Sequence, residues 1–197
     1  MRNGKNRRLY LSASIMFGLL VLQGCGGALF KVKPVVELSP LPAGAKSGTV
    51  GGITLRVAPL LTDEESQQLF EANLPVAGLL PVRIEMHYDS GAPLEIKKAK
   101  FRLRDSQGRE WKLVSAKQAT SRIMKSNGIY AYNPNSKKQF EKEFGAYEID
   151  LKTPLTAGER RQGFMFFQTP DKTAVTNSPG LVLIAERLPE ALEIGLN

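Results

Sequence analysis

Residues 81–114 restrict the fold most, because apolar and polar side chains alternate there with period two through successive segments. In Pro81–Tyr88, Val82, Ile84, Met86 and Tyr88 share one parity, and Arg83, Glu85 and His87 share the other. Neighbouring side chains of a strand point to opposite faces, so this pattern predicts a half-buried strand. Asp89-Ser90-Gly91-Ala92-Pro93 has the chemistry of a turn. Leu94 and Ile96 then keep one parity, whereas Ala99, Phe101 and Leu103 keep the other. A bulge or short loop at Lys97-Lys98 would produce that switch. Asp105-Ser106-Gln107-Gly108 closes a hairpin, with Gly108 suited to positive φ. The return strand, Arg109 to Val114, turns Trp111 and Leu113 inward.

The rest of the chain follows the same grammar with short helical interruptions. Ile53, Leu55 and Val57 alternate with polar or small residues and predict a strand ended by Pro59. Thr62 and Glu65 have the spacing of a capping box, predicting a helix to about Ala72 with Leu69 and Phe70 toward the core. Ser115 and Gln118 repeat that spacing before a stripe of Ala116, Ala119 and Ile123, and Asn127-Gly128 stops the helix. A third helix over Ser136–Phe144 places Phe140 and Phe144 one turn apart. Tyr147, Ile149 and Leu151 alternate as a strand. Leu155–Glu159 turns the chain, and Gly163–Gln168 is a strongly apolar strand with Phe164, Phe166 and Phe167 in the core. Leu181–Ala185 and Leu192–Leu196 are the last strands. The class is therefore all-β with two or three short helical insertions. The strand, Gly-Glu turn and glycine-aromatic strand near residue 163, with the 81–113 meander, resemble immunoglobulin-like domains of bacterial extracytoplasmic proteins. That resemblance implies a β-sandwich and names no activity.

The amino terminus carries the clearest functional signal. Arg2, Lys5, Arg7 and Arg8 form a basic leader, and the 14 residues Leu9–Leu22 form an apolar run. The run is short of the roughly 20 residues needed to span a bilayer as a helix. A positive segment before an apolar one is the pattern of a secretory signal. Leu22-Gln23-Gly24-Cys25 then resembles the lipobox of bacterial lipoproteins, with an aliphatic residue three places before the cysteine and a small residue just before it. Gln23 departs mildly from the Ala or Ser usual at its position. The resemblance implies a diacylglyceryl thioether on Cys25, cleavage before it, and acylation of the new amino terminus. It also implies anchoring by lipid, since two or more acyl chains hold a protein stably at a membrane. Gly26, where an Asp would favour retention at the inner membrane, implies the outer membrane with the domain facing the periplasm.

Charge and composition follow from that cleavage. The chain has 27 basic and 19 acidic residues, a net of +8. Removing the leader's four cations leaves 23 basic against 19 acidic, or +4. The basic balance is thus partly a targeting feature and gives no argument for nucleic acid. With its one cysteine lipidated, the domain has no disulfide and must rest on its core. Residues 1–24 are therefore expected to be a signal peptide. Residues 25–52, rich in Gly, Pro, Ala and Ser, are expected to be a lipidated tether, with Val35, Val36 and Leu38 able to form a short edge strand. Residues 53–197 are expected to be one domain.

Two surface features are candidates for contact. Lys98, Lys100, Arg102 and Arg104 fall at period two and would project from one strand face. They form either a ridge for anionic glycan or lipid, or a solvated face balanced by Glu85 and Glu110. Tyr130 and Tyr132 sit in a loop before Asn133-Pro134, either presented to an envelope protein or folded back on the domain. Chemistry is sparse. His87 is the chain's one histidine, so no histidine-based metal site is expected, and no cofactor is expected. No serine sits in a nucleophile elbow, and no phosphate-cradling glycine loop is present. Glu85, Asp89, Glu110, Glu148 and Asp150 offer carboxylates, but no spacing singles out a pair for hydrolysis. The expected function is a non-catalytic binding, scaffold or assembly-accessory domain held at the membrane through Cys25. The alternatives are a lipid-tethered hydrolase with a carboxylate site and a domain binding anionic glycan or lipid.

Overall fold

The computed structural model describes residues 29–176 and 179–197. Cys25, its lipobox and the leader lie outside the described residues. The strands are β1 (Lys46–Val50), β2 (Ile53–Pro59), β3 (Leu79–Tyr88), β4 (Lys100–Arg104), β5 (Glu110–Val114), β6 (Arg160–Gln168), β7 (Val182–Glu186) and β8 (Leu192–Gly195). Helices α1 (Asp63–Phe70), α2 (Ala116–Ser126) and α3 (Pro134–Gly145) interrupt them, and a 3-10 turn covers Val35–Glu37. The eight described strands belong to one sheet of order β1-β2-β3-β6-β5-β4-β7-β8, and each neighbouring pair is antiparallel. The all-β class stands, with three helices among the described residues.

The sheet curls until its two ends meet. A Cβ added to Gly48 of β1 would lie 2.9 Å from Leu192 Cδ1 and 3.1 Å from Ile194 Cγ1 of β8. Side chains rather than a hydrogen-bonded ladder thus close the seam, and a glycine is what permits the approach. The concave face holds an inner core that includes Leu55, Val57, Val82, Ile84, Met86, Phe101, Leu103, Trp111, Phe167 and Leu183. A second core lies between the other face of the sheet and the helices, built from Phe70, Leu79, Ile123, Phe140, Phe144, Tyr147, Phe164 and Phe166. Its rings touch in series, with centroids 4.9 Å apart for Phe70 and Phe144 and 4.7 Å for Phe144 and Phe166.

Strands β3 and β6 serve both cores. Phe164 and Phe166 face the helices, whereas Met165 and Phe167 face inward. A strand buried on both faces reads as a continuous apolar run, which is why β6 shows no alternation. The helices start where their caps dictate. Thr62 Oγ1 accepts from Glu65 N at 3.2 Å and Glu65 Oε2 accepts from Thr62 N at 3.1 Å. Ser115 and Gln118 form the equivalent box on α2. Asn133 caps α3, so that helix begins two residues before the expected Ser136.

Three expectations change. The tether expected over residues 25–52 is fastened to the domain at several points of its described part. Phe30, Val32 and Leu41 are buried, Lys33 N donates to Leu69 O at 2.9 Å, and Lys46–Val50 is strand β1. The short edge strand considered at Val35–Leu38 is instead the 3-10 turn. The strand expected at Tyr147–Leu151 is a brief parallel bridge, Glu148 to Phe164. It takes up β6 where β5 leaves, since β5 pairs only as far back as Val114–Phe166. The parity switch falls where expected, in a turn closed by Ala99 N donating to Ile96 O at 2.9 Å.

Candidate functional site

The four period-two cations do not share one strand. Lys100, Arg102 and Arg104 lie on β4, and Lys98 lies in the turn before it. Carboxylates from three other strands answer the two arginines. Arg102 Nη1 donates to Glu110 Oε1 of β5 at 2.9 Å, and its Nη2 donates to Glu186 of β7. Arg104 Nη2 donates to Glu193 Oε2 of β8 at 2.9 Å. Partial burial works to lower the Arg102 pKa, but Glu110 and Glu186 outweigh it and raise it above the ordinary value. The two arginines of the face are thus ion-paired, and Lys98 and Lys100 are exposed.

Tyr130 is 73% exposed and Tyr132 40%. Tyr132 is clipped to α3, with Lys137 Nζ 5.1 Å from its ring centroid and 3.4 Å from its hydroxyl. That hydroxyl leads the influences that raise the Lys137 pKa. Tyr130 projects beside a shallow depression of about 320 Å³ also lined by Met124 and Ile129. The two readings of this loop therefore divide between its two rings.

Polar side chains considered for catalysis hold structural contacts. His87 Nδ1 lies 3.2 Å from Glu159 O, and its Nε2 lies 3.1 Å from Asp89 Oδ1. Glu85 meets Arg56 at 3.2 Å, Glu110 meets Arg102, and Glu148 Oε1 accepts from Ala116 N at 3.2 Å. Asp150 accepts from Lys152 N at 2.7 Å and from Thr153 N at 3.2 Å. Among the described residues no group of three or more His, Cys, Asp or Glu is placed to hold a metal ion. No described helix is long and apolar enough to cross a membrane.

A cleft that the sequence did not single out lies on the helix side of the sheet. Its floor is one cross-strand row, Ala58 of β2, Arg83 of β3 and Phe164 of β6, in direct register. Leu69 of α1 and the segment Leu38–Pro40 contribute to its lining. The cleft holds about 400 Å³, within the range of small-ligand sites. Arg83 is only 5% exposed. Its Nη2 donates to Gln162 Oε1 at 3.3 Å, and its Nε is buried with no hydrogen-bond partner among the described residues. Desolvation lowers its pKa, against the opposing charge of Glu85. The sequence placed Arg83 on the solvent parity of its strand, because nothing local shows that α1 and residues 38–42 cover that face.

No protein-family model matches the chain, and no curated protein matches it. Among solved structures, the secreted protein MPT63 of Mycobacterium tuberculosis is similar at 14% identity and a TM-score of 0.37, over 78% of this chain and 93% of that one. A likeness at that level carries no argument about site or function.

Proposed function

We propose that this chain is a lipid-anchored envelope protein whose β-domain binds or positions a partner and performs no catalysis. The observation that carries the reading is the order Leu22-Gln23-Gly24-Cys25 behind a basic leader and an apolar run, with the chain's one cysteine at the lipidation position. A thiol is the soft nucleophile that lipid transfer requires, and a small residue beside it leaves room for the cut. The lipid on Cys25 then holds the domain at the membrane, and Gly26 favours the outer membrane facing the periplasm. The non-catalytic side of the reading is supported by His87 and the five carboxylates considered, each of which has a structural contact. The exposed ring of Tyr130 supports contact with an envelope protein. We further read the curled sheet as immunoglobulin-like and flattened, its two halves facing across the inner core. Support for this comes from the inner core, which draws side chains from β2, next to one end of the order, and from β8 at the other end.

The deciding experiment replaces Cys25 by Ser in the full chain. The parent is expected to take up radioactive palmitate and to fractionate with membranes. The variant is expected to remain uncleaved and unlabelled. A parent that takes up no label would remove lipid anchoring and the function with it, and labelling that persists in the variant would remove Cys25 as the lipidated residue.

A further inference from the structure

We propose that the Arg83 cleft is a binding site for a single-chain amphiphile with a carboxylate head, the head on the guanidinium and the aliphatic tail along the apolar walls. The inference stands apart from lipidation at Cys25, since it rests on residues 38–164 alone. Its first support is the guanidinium itself. A buried cation is costly unless it is paired and hydrogen-bonded. Yet the carboxylate nearest in sequence, Glu85, is occupied by Arg56 at 3.2 Å and Arg160 at 3.9 Å. Among the described residues Arg83 keeps one hydrogen bond, to a neutral amide, and an Nε–H without a partner. A carboxylate is the partner whose two oxygens match a guanidinium's parallel donors.

The second support is the wall chemistry. Leu38, Pro40, Leu60, Leu69 and Phe164 line the cleft with carbon. A structural water needs two to four polar partners. The cleft's remaining polar lining is Ser39, Glu65 and Gln68, and Glu65 is already committed to Thr62 in the helix cap. Head and tail requirements therefore meet in one ligand. A short free anion would leave the walls empty, and an alcohol or amine of the same length would leave Arg83 uncompensated.

The test uses the full chain in nanodiscs of neutral phosphatidylcholine, with octanoate as the probe and empty nanodiscs as the background. The readout is the 15N-resolved Nε–H resonance of Arg83, identified by its loss in Arg83→Met. Octanoate is expected to shift that resonance saturably, whereas acetate and octylamine at equal concentration are not. Calorimetry on Arg83→Met is expected to show at least tenfold weaker octanoate binding. Methionine preserves the volume, and thermal melting checks that the variant is folded. Leu69→Trp, which fills the cleft without touching the guanidinium, is expected to abolish the shift while leaving the Nε–H resonance visible. The proposal is overturned if octanoate does not saturate, if octylamine or acetate shifts the resonance equally, or if a folded Arg83→Met or Leu69→Trp binds octanoate as the parent does.

Discussion

Asp105 shows how much one side chain does in the hairpin between β4 and β5. Its carboxylate accepts from Gln107 N at 3.0 Å, Arg109 N at 2.9 Å, Arg109 Nε at 2.9 Å and Trp111 Nε1 at 3.2 Å. Burial opposes its charge, but the Trp111 and Arg109 donors outweigh burial and keep its pKa low. Asp105→Ala leaves the indole N–H unpaired in the core and should cost about 3 kcal/mol. A urea titration will measure it, and Asp105→Asn should lose roughly half as much. Two exposed acids act alike. The Thr153 hydroxyl, then the N–H groups of Lys152 and Thr153, bring Asp150 down to about 2. The Thr156 N–H and then Arg161 lower Glu159. Each folded-state pKa lies below the ordinary carboxylate value near 4. Their contribution is therefore complete above about pH 5 and is lost as pH falls toward 2. Melting temperature should drop over that window, and Asp150→Asn should flatten part of the drop.

At the scale of elements, β6 is the strand on which both cores depend. Its ring positions feed the helix-side core and its alternate positions the inner one. Phe166 is fully buried against Phe144 and Phe70. Phe166→Ala should destabilise by about 3–5 kcal/mol, measurable by calorimetry. Gly163 has a different constraint. A Cβ there would sit 2.7 Å from Ile149 Cα and 2.8 Å from Ile149 N, both backbone atoms. The segment that takes up β6 after β5 departs can approach because no side chain stands in its way. Gly163→Ala should cost about 2–3 kcal/mol through overpacking. A loss below a few tenths in denaturant titration would show that the Tyr147–Ile149 bridge is mobile enough to yield.

For the molecule as a whole, the two arginines of β4 are neutralised across strands, whereas Lys98 and Lys100 are exposed. Replacing Lys98, Lys100, Arg102 and Arg104 by Gln should change cosedimentation with anionic vesicles little, because Glu110, Glu186 and Glu193 share the face and offset most of its positive field. A large loss would restore the binding ridge. The amino-terminal side of the domain is tied down by the helix-side core. Phe30 stacks 4.8 Å from Phe140, and Tyr147 Oη donates to Lys33 O at 2.8 Å. If Cys25 carries lipid, few residues separate the anchor from packed structure, and the domain sits close to the membrane surface.

Local patterns carried in the sequence were enough for the strands from 81 to 114, both capping boxes and the parity switch at Lys97-Lys98. Alternation and cap chemistry act between residues a few positions apart, so neighbours along the chain determine them. Tertiary contact decided the rest. Gly48 lies at a closed seam because Leu192 and Ile194 arrive from the far end of the chain. Residues 30–33 pack because α1 and α3 present rings to them. Arg83 stands on the polar parity of an alternating strand, and only the helix laid across that face turns it into a buried, half-satisfied cation. Burial is a property of what covers a surface, and the covering elements here come from residues 38–42 and 63–70, remote in sequence from the strand they enclose.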